Sequence, residues 1–402
     1  MGALEVTAAL GFLFVTGGAS EHVREACPGH AQEATVEHMQ QYRDLVASYA
    51  RGDRALAIAG LAQMPELQQC NIAHTLELKA VFVQRGQEGA EAQLALQKGK
   101  LGDPPLSLQA AVMLHLDVDL ARQTRPPGVL RRTEEVRDCP GRQTLIASRY
   151  ARLLAAEQDR DTLSFARRFF VALAHKCQWD ACFGDADYWA REGLKLFPRD
   201  PELLLAVGSV LEEEATLWKA VPTVENPSQP TLVREEARAE ARERESVGQF
   251  RQARVIYEDV LAADDGLVLA KVRLGRVRWR LGDREAAQAV LEKAVGQTTD
   301  PGLLYLAHLF LGRVHEDAGR LEAAVEEYRL SLALDPRSQS AGVAVSHALR
   351  KAGEAEEARE VLRATLAQAG RRAYRDAYWD YVAVNALHFR EVFAALREES
   401  LR

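Results

Sequence analysis

An all-α chain built as an extended array of helix pairs is what this sequence predicts, and three observations carry the prediction. Ala, Leu, Glu and Arg dominate while strand-like runs are almost absent, which favours helix by intrinsic propensity. Gly248, Gly282, Gly319 and Gly353 fall 34, 37 and 34 residues apart, a near-fixed period that marks stacked units. At 402 residues the chain exceeds one small core and should form two or three domains or one extended array; the period selects the array.

Each of these glycines is expected to end one helix and let the chain reverse. Five residues on stand Ala253, Ala287, Ala324 and Ala358, small enough for close helix packing, and four further on come Tyr257, Leu291, Tyr328 and Leu362. Seven residues before each turn lie Ala241, Gly275, Gly312 and Ser346, all small, so the first helix of each pair can press its backbone against a neighbour.

This pattern resembles the tetratricopeptide repeat, most closely at Leu311, Gly312, Gly319, Ala324, Tyr328, Asp335 and Pro336. The resemblance implies a right-handed α-solenoid of tandem helix-turn-helix repeats, with four clear units between about Arg234 and Arg372 inside a block at 232–372. A divergent block of similar repeats is expected at 35–219. There Gly52 and Gly86 are again 34 residues apart, with Ala57 and Leu61 in the expected places. Ala186, Ala190 and Leu196-Phe197-Pro198 fit a second helix, and Gly208 fits the packing position of the unit that follows. The sequence departs from the family where Lys271 and His308 stand near the place of a large first-helix aromatic. Three prolines between Pro222 and Pro230 predict a loop at 220–231, and Arg125-Pro126-Pro127-Gly128 ends a helix expected from Leu106 to Ala121. Segment 373–402 concentrates Tyr374, Tyr378, Trp379, Tyr381, Phe389 and Phe393. It is expected to cap the last repeat, a partner-docking role being the alternative.

Residues 1–20 carry an apolar run from Val6 to Val15 and small residues to Ser20, the pattern of a cleaved export signal. No Lys or Arg precedes the run and Glu5 sits at its edge, so the other readings are a start further upstream or a buried first helix. The expected compartment is periplasmic or secreted, with cytoplasmic as the alternative. The run is too short to span a membrane, and Cys27 follows Arg24, Glu25 and Ala26, unlike a lipid-modified cysteine. Five cysteines fit neither a disulfide-dense scaffold nor a zinc framework. Cys177 and Cys182 could close a small loop in an exported protein, or stand as unbridged thiols at helix ends. His175 beside them matches no zinc spacing.

A net charge of -7 argues against nucleic acid as partner. No phosphate loop, nucleophile elbow or zinc-peptidase pattern occurs, so no cofactor or metal is implied. His308 and His315 are two helical turns apart, too far for one metal without a third element. Asp117 and Asp119 are two apart on a helix and cannot face each other as acid and base. Glu235 to Glu245 alternates Glu and Arg and reads as a solvated helix face.

Binding is better supported. The resemblance implies that first helices line the concave surface, with the residue after the small position facing the groove: Arg242, Arg276, Arg313 and His347. Arg242 has Glu245 nearby and Arg313 has Glu316 and Asp317, whereas Arg276 has Arg280, and His347 has Arg350 and Lys351. The site read from sequence is therefore Arg242, Arg276, Trp279, Arg280, Arg313, His347 and Arg350, with Trp279 as an apolar contact. Its expected partner is a protein or peptide with an acidic segment. The family's carboxylate-gripping arrangement uses asparagines, which these positions lack, and that speaks against a free C-terminus. The alternative is that the arginines are solvated or paired with acids of adjacent repeats. The function expected is a non-catalytic scaffold binding partner segments in the groove. The second reading is a helical enzyme or enzyme accessory domain with its site between Leu106 and Cys182.

Overall fold

The computed structural model describes residues 32–84, 107–122, 142–156, 160–179, 182–220, 232–368 and 377–382. Among the described residues every regular element is an α-helix. In order these are α1 Val36–Ala50, α2 Arg54–Gln63, α3 Glu66–Gln84, α4 Leu108–Arg122, α5 Arg142–Ala156, α6 Arg160–Trp179, α7 Phe183–Leu196 and α8 Pro201–Ala220. There follow α9 Leu232–Ala263, α10 Val268–Arg280, α11 Arg284–Gln297, α12 Pro301–Asp317, α13 Leu321–Leu334, α14 Gln339–Ala352, α15 Ala355–Gln368 and α16 Ala377–Val382. Residues 1–20, Gly86, the Arg125–Gly128 turn and the Pro222–Pro230 loop lie outside the described residues.

The helices start and stop for local reasons. Asp283, Asp300 and Ser338 cap α11, α12 and α14, each side-chain oxygen accepting from the backbone N–H three residues on. Pro301 opens α12, where the missing N–H costs nothing. Gly282, Gly319 and Gly353 adopt φ of 87°, 75° and 94°, the left-handed conformation that lets the chain reverse after α10, α12 and α14.

Gly248 departs from the expectation. It lies inside α9, a helix of 32 residues, and its φ is not positive. A helical glycine costs only about 1 kcal/mol relative to alanine. The Glu/Arg alternation before Gly248 supports the helix, and Phe250, Ala253 and Tyr257 after it are buried. Residues 234–263 are therefore not a helix pair. The part of α9 after Gly248 is the second helix of a pair whose first helix is α8, where the Tyr257 ring covers Gly208 so closely that a Cβ there would collide with it.

The described repeats are the pairs α6/α7, α8/α9, α10/α11, α12/α13 and α14/α15, each helix packing on its sequence neighbours. First helices also touch one another directly, α6 on α8, α8 on α10 and α10 on α12, and so form the inner wall of the curve. Gly275 admits Leu291 and Gly312 admits the Tyr328 ring at the inner contact of their pairs, as the spacing predicts. One apolar core runs from α1 to α8, a second from α10 to α16, and a third, centred on Phe250, Tyr257 and Leu274, joins them.

The Cys177–Cys182 pairing that the sequence left open does not form: Cys182 is disulfide-bonded, as is Cys70, while Cys177 is a buried thiol outside any disulfide. The described part of the aromatic C-terminal segment is α16, which packs on α12 in mid-array; the rest of the segment expected as a cap lies outside the described residues. Leu366 of α15 is left 60 % exposed. Tyr378 and Tyr381 both find Phe310 of α12, with ring centroids 6.3 and 5.2 Å away.

Candidate partner-binding groove

The inner wall carries charge where an apolar helix surface would be expected, and two glutamates organise it. Glu212 on α8 and Glu316 on α12 stand four residues after Gly208 and Gly312, so each lies one turn from a close helix contact. In both places the tyrosine that fills the glycine gap bonds the glutamate. Tyr257 donates to Glu212 Oε2 at 2.8 Å and Tyr328 donates to Glu316 Oε2 at 2.8 Å. Two units of the array thus repeat one device: a glycine that admits a ring and a carboxylate that accepts its hydroxyl.

Glu212 is fully buried and accepts more than that one bond. Arg273 Nη1 donates to Oε2 at 2.8 Å, Arg276 Nη1 donates to Oε1, and the Tyr381 hydroxyl donates to Oε1 from 169 residues further along the chain. Burial raises the Glu212 pKa, but the Arg276 and Arg273 charges and the tyrosine hydrogen bond outweigh it and leave it below the ordinary carboxylate value, hence ionised. Its neighbour Glu213 is different. Both its oxygens are buried without a hydrogen bond, and the nearest cation atom, Arg273 Nη2, is 3.7 Å away. Burial pushes its pKa well above the usual range, against the pull of the Arg273 charge. Both guanidiniums reach the Glu212 carboxylate, and the Tyr381 ring lies under both, 4.4 Å from Arg273 and 5.3 Å from Arg276.

The site read from sequence is only partly assembled. Arg276 is buried and spent on Glu212 and Thr216, so it is not the open cation that its helix neighbours suggested. The acid that neutralises it comes from another helix. Arg280 is partly buried, lies 5.2 Å over Phe250 and 5.8 Å over Trp279, and has no ion-pair partner among the described residues. Burial and the adjacent Arg276 charge hold its pKa below the usual guanidinium value. Trp279 donates from Nε1 to Asp317 at 2.7 Å and packs into the second core, tying α10 to α12. Arg313, His347 and Lys351 converge on Glu316, at 3.5, 3.1 and 3.1 Å. Arg350 is exposed and, among the described residues, has no ion-pair partner. The Arg242 side chain lies outside the described residues.

Sequence reading missed Glu212, Arg273 and Tyr381. Three consecutive glutamates in the otherwise apolar helix around PELLLAVGSVLEEEATLW were a usable signal, because a fully solvated face would not take three adjacent positions of a buried helix. Lys271, noted as a departure from the family, is likewise buried and reaches Asp265.

The divergent half holds buried polar groups too. Tyr49 donates to Asp117 at 2.7 Å, Thr144 donates to Asp119, and His115 Nε2 meets the Tyr42 hydroxyl at 3.0 Å. Asp117 and Asp119 serve different helices, and both are buried with His115. Among the described residues no group of three His, Cys, Asp or Glu side chains is arranged to hold a metal ion, and no helix is long and apolar enough to cross a membrane.

Paired helices stacked with their first members inward, the last three pairs reversing at a glycine, define an all-α solenoid. Residues 272–338, from within α10 to the N-cap of α14, match the family model of the tetratricopeptide repeat. Solved structures with similarity include MamA, from residue 41 to its end, from Desulfovibrio magneticus RS-1, at 17 % identity over 53 % of this chain and 97 % of that one, with a TM-score of 0.38. Pseudomonas aeruginosa PilF is similar at 18 % identity over 57 % of this chain and 88 % of its own, TM-score 0.37. YrrB, described as a tetratricopeptide-repeat protein with an unusual peptide-binding site, is similar at 15 % identity over 58 % and 98 %, TM-score 0.34. No curated protein sequence matches the chain.

Proposed function

We propose that this chain is a non-catalytic scaffold that binds segments of partner proteins along the inner wall formed by α8, α10, α12 and α14. The observation that carries the reading is the occupation of that wall by peptide: α16, a segment of the chain itself, lies against α12 and buries Tyr381 between α8, α10 and α12. The cations Arg280 and Arg350, which have no ion-pair partner among the described residues, give the wall a preference for acidic segments. The enzyme reading gains nothing from the buried groups of the divergent half, because a catalytic group must reach its substrate.

The test is affinity capture from the native organism with the intact chain, followed by hydrogen-exchange mapping of the complex. Protection is expected on α8, α10, α12 and α14; protection confined to the second helices α9, α11 and α13 would contradict the groove. Export is proposed on the apolar run at 6–15, and the disulfide-bonded state of Cys70 and Cys182 supports an oxidising compartment. The native chain used for capture should then begin near Ser20 or Glu21, and a cytoplasmic chain still starting at Met1 removes the proposal.

A further inference from the structure

The Glu212 cradle is built to hold something, and what it holds tells what it selects. Its floor is the Glu212 carboxylate, its sides are the Arg273 and Arg276 guanidiniums, and Phe310 closes it with an edge-to-face contact. Into it goes one phenol. The Tyr381 ring is 2 % exposed, stacks under two cations and places its hydroxyl on Glu212 Oε1. On the same helix Ala377 and Tyr378 stay partly exposed, Tyr378 against the edge of Phe310. A ring without a hydroxyl would fill the space but leave Glu212 Oε1 one donor short in a buried site, which is costly. A carboxylate or phosphate would meet the ionised Glu212 head-on.

We propose that Glu212, Arg273, Arg276 and Phe310 form a tyrosine-binding subsite of the groove, selective for a peptide segment that presents a tyrosine with a second aromatic three residues before it, as Tyr378 precedes Tyr381. The proposal rests on the groove reading above and adds the side chain that the groove selects. The chain's own Tyr381 is its resident ligand in cis. A partner bearing the same motif enters by displacing it, in competition with a tethered copy whose effective concentration is on the order of millimolar.

The experiment uses the full chain and a fluorescent synthetic peptide with the sequence of residues 374–385. It should bind the Tyr381→Ala chain at least about tenfold more tightly than the parent chain, which holds its own occupant. The peptide version carrying Tyr381→Phe should bind that vacated chain about tenfold more weakly, the loss of one hydrogen bond to a charged acceptor. A Tyr381→Phe chain, which keeps the ring and hence the packing, should also take up the parent peptide more tightly than the parent chain does. This arm keeps the test valid if Tyr381→Ala disturbs the fold, with helix content by circular dichroism as the check. Equal binding to all three chains, no binding to any, or equal binding of the tyrosine and phenylalanine peptides would overturn the subsite. Partner protection of the inner helices would survive each of those outcomes, so loss of the subsite and loss of the groove reading remain distinguishable.

Discussion

Replacing Glu212 with alanine should destabilise the repeat array by about 3–5 kcal/mol, the cost of leaving buried charge without its partner. Arg273 and Arg276 are both buried against this carboxylate, and it is the acid that lies nearest to each, at 2.8 and 2.5 Å, whereas Glu213 stands 3.7 Å from Arg273. Arg276 retains only Thr216, at 3.0 Å. Tyr257 and Tyr381 lose their acceptor in the same step, so the second helix α9 and the inserted turn α16 both loosen. A repeat array need not unfold as one unit, so the loss should be read as a lowered denaturant midpoint for the region around α8 to α10, followed by hydrogen exchange at those helices. A loss under about 1 kcal/mol would mean that water reaches these guanidiniums and that the cluster is not a buried network.

Gly312→Val should be the next most damaging single change, costing about 1–3 kcal/mol or more through overpacking. The first carbon of any side chain there collides with the Tyr328 ring. That ring cannot turn aside cheaply, since its hydroxyl is fixed on Glu316, which Lys351 also holds at 3.1 Å. Gly296 provides the contrast on the neighbouring repeat: it is helical, exposed and faces open space. Gly296→Ala should stabilise by about 0.5–1 kcal/mol, since alanine is the better helix former. Thermal unfolding of the two variants beside the parent checks both signs, and a neutral Gly312→Val would place the inner contact of the α12/α13 pair elsewhere.

The fold was legible because its causes are local and recur. Turn glycines, small packing residues and the residues that fill their gaps repeat at a fixed offset, and Gly282, Gly319, Gly275 and Gly312 do what their spacing predicts. Gly248 misled because spacing alone cannot separate a glycine that turns the chain from one that a strongly helical flank carries through. The site was less legible because its partners are distant in sequence. Arg276 looks unpaired among its helix neighbours, yet Glu212 is 64 residues away and Tyr381 reaches the same carboxylate from the far end of the chain. Arg313 meets Glu316 as its spacing suggested, but His347, read among basic neighbours alone, meets the same glutamate, and only the packing of α12 on its neighbours shows it. Cys177 and Cys182 are close in sequence, and closeness is not the geometry a disulfide needs.

Of the basic residues read as the groove, Arg280 and Arg350 have no acid within ion-pair distance among the described residues, while Arg276 and Arg313 have. The most direct test of the groove as an acidic-segment reader is therefore the association rate of the captured partner with the parent chain and with the double variant Arg280→Gln, Arg350→Gln, measured across salt concentrations. The account predicts a rate lowered roughly tenfold at low ionic strength and a weakened salt dependence, with little effect from Arg313→Gln. Unchanged association in the double variant, or an equal loss in Arg313→Gln, would contradict it.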